Sequence, residues 1–159
     1  MFKIGEIIDL AIQIERNGEE IYRKAIELHP SPSVNMLLQK LAEEELQHAE
    51  WFITLKQKVA ANSEDPKLEE MAKSILLEVL GNQAFSLQDI DFSKIKDPKD
   101  LLNLAIEFER DTIIFYNMIG TLIEETKTRY QLDKIIEEEN RHIQSFQEIL
   151  DTGDFEILK

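Results

Sequence analysis

Cysteine is absent from all 159 residues. That excludes disulfides, zinc fingers, cysteine-ligated iron–sulfur clusters and any rubredoxin-type iron site within this chain. Glycine and proline are scarce, at 5 and 4 residues, which leaves little material for turns and suits helices. Basic residues are outnumbered: 18 Lys and Arg face 32 Asp and Glu, giving a formal net charge of −14. Such a chain repels nucleic acid and anionic membranes at long range and concentrates metal cations. No apolar run approaches the ~20 residues of a membrane span. The opening stretch meets Asp9 too soon to build a signal-peptide core. These absences lead to the expectation of a cytoplasmic protein with neither nucleic-acid nor membrane partners.

What is present is one domain's worth of helix-forming chain, 43% hydrophobic and long enough to bury a core without staples. Four segments carry residues spaced alternately four and three apart, the seam of a helix packing in a bundle. The first reads Ile4, Ile8, Ala11, Glu15, Gly18, Tyr22, Ala25, and the second Val34, Leu38, Leu41, Glu45, His48, Phe52, Leu55, Val59. The third reads Leu102, Ala105, Glu109, Thr112, Tyr116, Ile119, Ile123, and the fourth Leu132, Ile135, Glu139, His142, Phe146, Ile149. Each seam is apolar except near its middle, where a glutamate sits.

Punctuation sets the boundaries. His29-Pro30-Ser31-Pro32 cannot continue a helix, so it closes the first and lets the second begin near Ser33. Asp65-Pro66 and Asp97-Pro98 read as caps followed by proline at the first helical position. Glu124 to Thr128 lacks apolar residues and can turn the chain. Residues 63–97 form a long connection with a short helix predicted at 66–80. Its Phe85, Leu87, Ile90 and Phe92 are expected to cover the bundle's side. Residues 1–159 thus read as a single all-α domain, a four-helix bundle of two helical hairpins joined by a long crossover.

The chain also repeats itself. Ala11, Ile12, Glu15, Arg16 and Tyr22 recur as Ala105, Ile106, Glu109, Arg110 and Tyr116. Glu43, Glu44, Glu45 and His48 recur as Glu137, Glu138, Glu139 and His142. Every pair has the spacing of Glu15 to Glu109. The midpoint of Glu15 and Glu45 is residue 30, in the proline turn, and that of Glu109 and Glu139 is residue 124, in the second turn. Antiparallel hairpins folded there bring all four glutamates to one height.

Glu45-Leu46-Gln47-His48 and Glu139-Asn140-Arg141-His142 are both Glu-x-x-His. Residues three apart share a helix face, so each motif aims a carboxylate and an imidazole at one point. Either motif alone reads as a solvated face. Both together, on apolar seams and level with two more seam glutamates, read as a di-metal site with six ligands: Glu15, Glu45, His48, Glu109, Glu139 and His142. The charges agree, because four carboxylates balance two divalent cations. Four uncompensated carboxylates in a core would cost several kcal/mol. The oxygen-rich set with two imidazoles suits iron or manganese, and zinc also fits. Tyr22 and Tyr116, seven residues beyond Glu15 and Glu109 on the same seams, are placed to hydrogen-bond ligand carboxylates or simply to fill the core. Gly18 and Thr112 occupy the seam slots where the other two helices carry histidine. Their small size leaves room for dioxygen or peroxide, or for close helix packing.

On Glu15 with Tyr22, Glu45-x-x-His48, Glu109 and Glu139-x-x-His142, the chain resembles the ferritin-like superfamily and, within it, the rubrerythrin branch. The resemblance spans nearly the whole chain. It implies a ferritin-like fold and an iron pair at the matching residues. It further implies reduction of hydrogen peroxide with electrons from a donor, and by analogy a homodimer. Two departures stand out. The cysteine-bearing electron-relay module of rubrerythrins is absent, so the donor must be external. Thr112 stands where rubrerythrins usually carry an extra glutamate, three residues after the third-helix ligand. The tail after Gly153 is also too short for the fifth helix of cage ferritins. The expected function is a di-iron carboxylate oxidoreductase reacting with hydrogen peroxide or dioxygen. The alternatives are a ferroxidase or iron-handling protein, and a non-catalytic helical module stabilised by metal.

Overall fold

A computed structural model describes residues 4–28, 32–60 and 97–152, with six further residues between 66 and 74. Helix α1 runs Ile4–Leu28 and α2 runs Pro32–Ala60. Helix α3 runs Pro98–Gly120 and α4 runs Thr126–Thr152. The described residues contain no strand. None of their helices is long and apolar enough to cross a membrane.

Both midpoints that the glutamates define fall in breaks between helices, and residues 29–31 of the expected proline turn lie outside the described residues. The first break separates Leu28 from Pro32, so the second helix starts one residue before Ser33. The second covers residues 121–125, so α4 begins inside the stretch expected to turn. The reason is local. The last turn of α3 tightens to i+3 bonds, Thr121 N to Met118 O at 3.1 Å and Leu122 N to Ile119 O at 2.9 Å, and the Arg129 guanidinium donates to the Gly120 carbonyl at 2.6 Å, so α3 ends three residues short of Ile123. Ile123 therefore lies past the helix end, although it still packs against the core. At the start of α3, Asp97 accepts from the Lys99 amide at 2.9 Å, with Pro98 at the first helical position.

The direction of each helix follows from the contacts across the bundle. On α2 and α4, Lys58 meets Thr128, Trp51 meets Gln131, and Glu44 meets His142, so the two helices are antiparallel. Glu15 meets Tyr116 and Tyr22 meets Glu109, so α1 and α3 are antiparallel too. Short turns make α1–α2 and α3–α4 antiparallel pairs. The order is therefore up, down, down, up, and a long crossover must link the parallel α2 and α3. In the predicted 66–80 helix, the described residues 66, 67, 70, 71, 73 and 74 are helical, and Met71 packs against the core. Phe85, Leu87, Ile90 and Phe92 lie outside the described residues.

The seams meet in one core. Ile7, Ile8, Phe52, Phe115, Phe146, Leu132 and Ile149 are almost completely shielded from solvent. Each such side chain contributes roughly 1.5–3 kcal/mol on leaving water. That apolar frame excludes water above and below a polar layer at mid-height.

Candidate metal centre

The polar layer consists of the residues that interrupt the seams. Glu15, Glu45, Glu109, Glu139, His48, His142 and Thr112 are all buried. The structure brings all six predicted ligands together in two overlapping sets. One holds Glu15, Glu45, His48 and Glu139, and the other Glu45, Glu109, Glu139 and His142. Within each set the ligand atoms lie within 4.8 Å of one another. Glu45 and Glu139 belong to both sets, so each set pairs one private glutamate and one histidine with two shared carboxylates.

Both imidazoles aim the same nitrogen inward. His48 Nδ1 lies 2.7 Å from Glu139 Oε1 and 3.5 Å from Glu15 Oε1. His142 Nδ1 lies 3.2 Å from Glu45, 3.3 Å from Glu139 and 3.4 Å from Glu109. The outer nitrogens are anchored across the bundle: His48 Nε2 contacts Glu138 at 2.6 Å, and His142 Nε2 contacts Glu44 at 2.7 Å. A carboxylate on Nε2 keeps the proton there and leaves Nδ1 free as a metal donor. Glu44 and Glu138 escaped the sequence-based site. Their signal was the repeat of Glu43-Glu44-Glu45 in Glu137-Glu138-Glu139, but the residue before a ligand points some 100° away on its own helix. Only the tertiary fold shows that it reaches the other hairpin.

The tyrosines also cross over. Tyr116 donates to Glu15 Oε1 at 2.5 Å, and Tyr22 donates to Glu109 Oε1. Burial and the neighbouring carboxylates push both phenols well above their usual pKa, so each stays protonated as a donor.

Gly18 and Thr112 take different parts. A methyl carbon built on Gly18 would lie 3.0 Å from Glu45 Oε2 and 3.1 Å from a ring carbon of Phe108. The missing side chain is the space into which Glu45 leans. The Thr112 hydroxyl donates to the Phe108 carbonyl at 2.8 Å, a bond within its own helix. Glu19 bonds Arg23 at 2.9 Å and takes no part in either ligand set.

The electrostatics of the metal-free protein show what the layer lacks. Burial, then repulsion from Glu109, Glu139 and Glu15, pushes Glu45 well above the usual carboxylate range. Burial and the Glu139 charge raise Glu109 to about 8. Burial also acts to raise Glu139, but the neighbouring Glu109 carboxyl and the His142 and His48 imidazoles outweigh it and hold this carboxyl low. Burial works against a charged imidazole at His142, yet Glu109, Glu139 and Glu44 raise it to about 12. The same contest raises His48, through Glu138, Glu139 and Glu15. Protons thus stand in for missing positive charge.

They do so incompletely. Glu15 Oε2, both oxygens of Glu45, Glu109 Oε2 and Glu139 Oε2 are buried without a hydrogen-bond partner. Buried acceptors are almost always satisfied, so orphans from four different helices around one centre mark a place for cations. Carboxylate oxygens with two imidazole nitrogens form a donor set that suits divalent iron or manganese. The residues fit a di-metal pair.

A four-helix bundle with up, down, down, up topology and this carboxylate–histidine layer belongs to the ferritin-like class. Within it the chain is a member of the Rubrerythrin family, whose model matches residues 6–150. The fold is similar to the crystal structure of a Thermotoga maritima protein described as a ferritin-like diiron-carboxylate protein. The TM-score is 0.71 at 22% identity, over 96% of this chain and 97% of that one. No curated protein matches the chain.

Proposed function

We propose that the centre binds two iron ions and reduces hydrogen peroxide, taking electrons from an external donor. The observation that carries this reading is the pair of overlapping ligand sets with their unpartnered carboxylate oxygens. Glu15 and His48 would hold one ion and Glu109 and His142 the other, with Glu45 and Glu139 shared. When bound, a ferrous pair supplies two electrons together, which lets peroxide go to water without a free radical.

The chain's own residues do the rest. Glu138 and Glu44 keep the protons on the outer imidazole nitrogens, so Nδ1 of His48 and His142 is available as a neutral donor. The hydroxyls of Tyr116 and Tyr22 fix one oxygen each of Glu15 and Glu109 and leave the second oxygen free. Phe52 and Phe146, both fully buried, help keep bulk water from the layer. Protein purified and handled without oxygen should carry two irons per chain. Its ferrous form should be oxidised faster by peroxide than by dioxygen in stopped flow.

Thr112 favours one second reading. Its hydroxyl is tied to the Phe108 carbonyl and offers no carboxylate to the centre. A ferroxidase that oxidises and releases iron needs no extra ligand there. A clear preference for dioxygen, with iron leaving the site at each turnover, would select that reading and overturn peroxide reduction. Unchanged biological function with redox-inert zinc in the site would instead indicate a non-catalytic, metal-stabilised module.

A further inference from the structure

Trp51 is the single tryptophan of the chain, and it is one of several positions at which the internal repeat does not hold. Tyr22 repeats as Tyr116 and Phe52 as Phe146, at the spacing of Glu15 to Glu109, but the partner of Trp51 is Ser145. Among the described residues, the rings form a series on one side only. Glu15 accepts from Tyr116 at 2.5 Å, and the Tyr116 ring lies 4.9 Å from that of Phe52 between centroids. The Phe52 ring lies 5.0 Å from Trp51, edge-on at 77°. The half-buried Trp51 donates its indole N–H to the exposed Gln131 at 3.1 Å. On the other side, Tyr22 and Phe146 lie 5.7 Å apart, and the series ends at Ser145, which has no ring.

A phenylalanine at position 51 could supply the ring contact with Phe52, though not the bond to Gln131. An indole differs in its redox chemistry: without cysteine, tryptophan and tyrosine are the side chains that most readily give up an electron. We propose that Tyr116, Phe52 and Trp51 form a one-electron path between the carboxylate layer and the protein surface. Through it, Trp51 supplies the second electron when hydrogen peroxide meets a centre holding a single ferrous ion. The second part rests on the peroxide reading above; the path itself does not.

The chemistry balances. Reducing one hydrogen peroxide to two waters takes two electrons and two protons. The ferrous ion gives one electron and becomes ferric. Trp51 gives the other by way of Tyr116 and becomes a neutral indolyl radical. Its Nε1 proton passes to water, which makes up one of the two protons, and solvent supplies the second. As the electron leaves Tyr116, its phenolic proton moves to Glu15 Oε1, and it returns when the electron from Trp51 arrives. Phe52 is not oxidised; its ring fills the gap between the two donors with bonded and contacting atoms. Without such a path, a lone ferrous ion would split peroxide into hydroxide and hydroxyl radical beside the ligands.

Two measurements test this, both on the full chain carrying Tyr130→Phe, which removes the exposed tyrosine next to Gln131. In the first, zinc is added in place of iron and the azide radical oxidises Trp51. The indolyl absorbance should decay in part as a tyrosyl absorbance grows, until the two radicals stand in equilibrium, and Tyr116→Phe should abolish that growth. A tyrosyl signal that persists in Tyr116→Phe, or never forms with Tyr116 present, overturns the path. In the second, one ferrous ion per chain meets hydrogen peroxide, and the frozen product is examined by electron paramagnetic resonance with ring-deuterated tryptophan. A deuterium-sensitive radical that vanishes in Trp51→Phe supports the role. Peroxide consumption without that radical overturns the role while leaving the path intact. No consumption of peroxide by either the one-iron or the two-iron protein refutes the peroxide reading itself, and the electron-supplying role with it. The zinc measurement still decides the path in that case.

Discussion

Replacing Glu45 with leucine should stabilise the metal-free protein and abolish its response to iron. Glu45 is buried, and neither of its oxygens has a hydrogen-bond partner. Its carboxyl is pushed up by burial and by three neighbouring glutamates. Each buried, unsatisfied polar group costs about 1–3 kcal/mol. Leucine is about one methylene larger than glutamate, so overpacking offsets part of the relief from two unpartnered oxygens. His142 loses a contact at 3.2 Å but keeps Glu44, Glu109 and Glu139. A net gain of about 1–3 kcal/mol follows, or roughly 2–12 °C in Tm for a domain of this size. Glu139→Leu is the contrast. That carboxylate bonds His48 at 2.7 Å and lies 3.3 Å from His142, so its loss strands charged imidazoles and should destabilise the metal-free fold.

Thermal melts near neutral pH, with and without ferrous ion under nitrogen, provide the assay. Ferrous ion at a hundred times its dissociation constant should stabilise the parent by about 2.7 kcal/mol for each ion bound and Glu45→Leu not at all. If Glu45→Leu melts below the metal-free parent, or still gains from iron, Glu45 is not an uncompensated ligand shared by both sets.

Three further outcomes are expected. Glu109, raised to about 8, and His142, raised to about 12, both hold protons more tightly folded than unfolded. Metal-free stability should therefore fall as pH rises from about 6 to 9, and a Tm that climbs over that window would contradict the assignment. Replacing both Glu44 and Glu138 with glutamine should weaken metal binding by roughly 10–100-fold, by competition against a chelator, while the far-ultraviolet helix signal stays unchanged. Gly18→Ala would add helix propensity of about 1 kcal/mol but place a carbon 3.0 Å from Glu45 Oε2. Metal affinity should fall while metal-free Tm holds or rises, and unchanged affinity would show that Glu45 does not need that space.

The helices and the six central residues were legible because each leaves a periodic trace on its own helix. A glutamate on an apolar seam is visible within one turn of sequence, and equal distances to two turns convert it into a height. The anchoring of His48 by Glu138 and of His142 by Glu44 left no such trace. These pairs are separated by 90 and 98 residues, and each partner sits off the seam of its own helix. The position of Gly18 against Glu45 was hidden for a related reason, since it depends on how closely α1 and α2 approach. The end of α3 at Gly120 rather than Ile123 goes with i+3 bonds in its last turn and a guanidinium nine residues away on the Gly120 carbonyl, contacts that propensity does not register.

The internal duplication explains why the layer forms only in the complete bundle. Each ligand set draws three residues from one hairpin and one from the other: Glu139 is lent to the α1–α2 set, and Glu45 to the α3–α4 set. The supports cross in the same way. Tyr22 holds Glu109 and Tyr116 holds Glu15; Glu138 holds His48 and Glu44 holds His142. A lone hairpin would present two glutamates and a histidine with no partner for the imidazole's outer nitrogen. Docking of the hairpins and assembly of the centre are therefore one event, and metal binding acts on their interface. Where the duplication has drifted, at Gly18 against Thr112 and Trp51 against Ser145, the two halves of the centre become unlike. A two-electron reaction on a symmetric pair does not need those differences, whereas a route for single electrons to one face does.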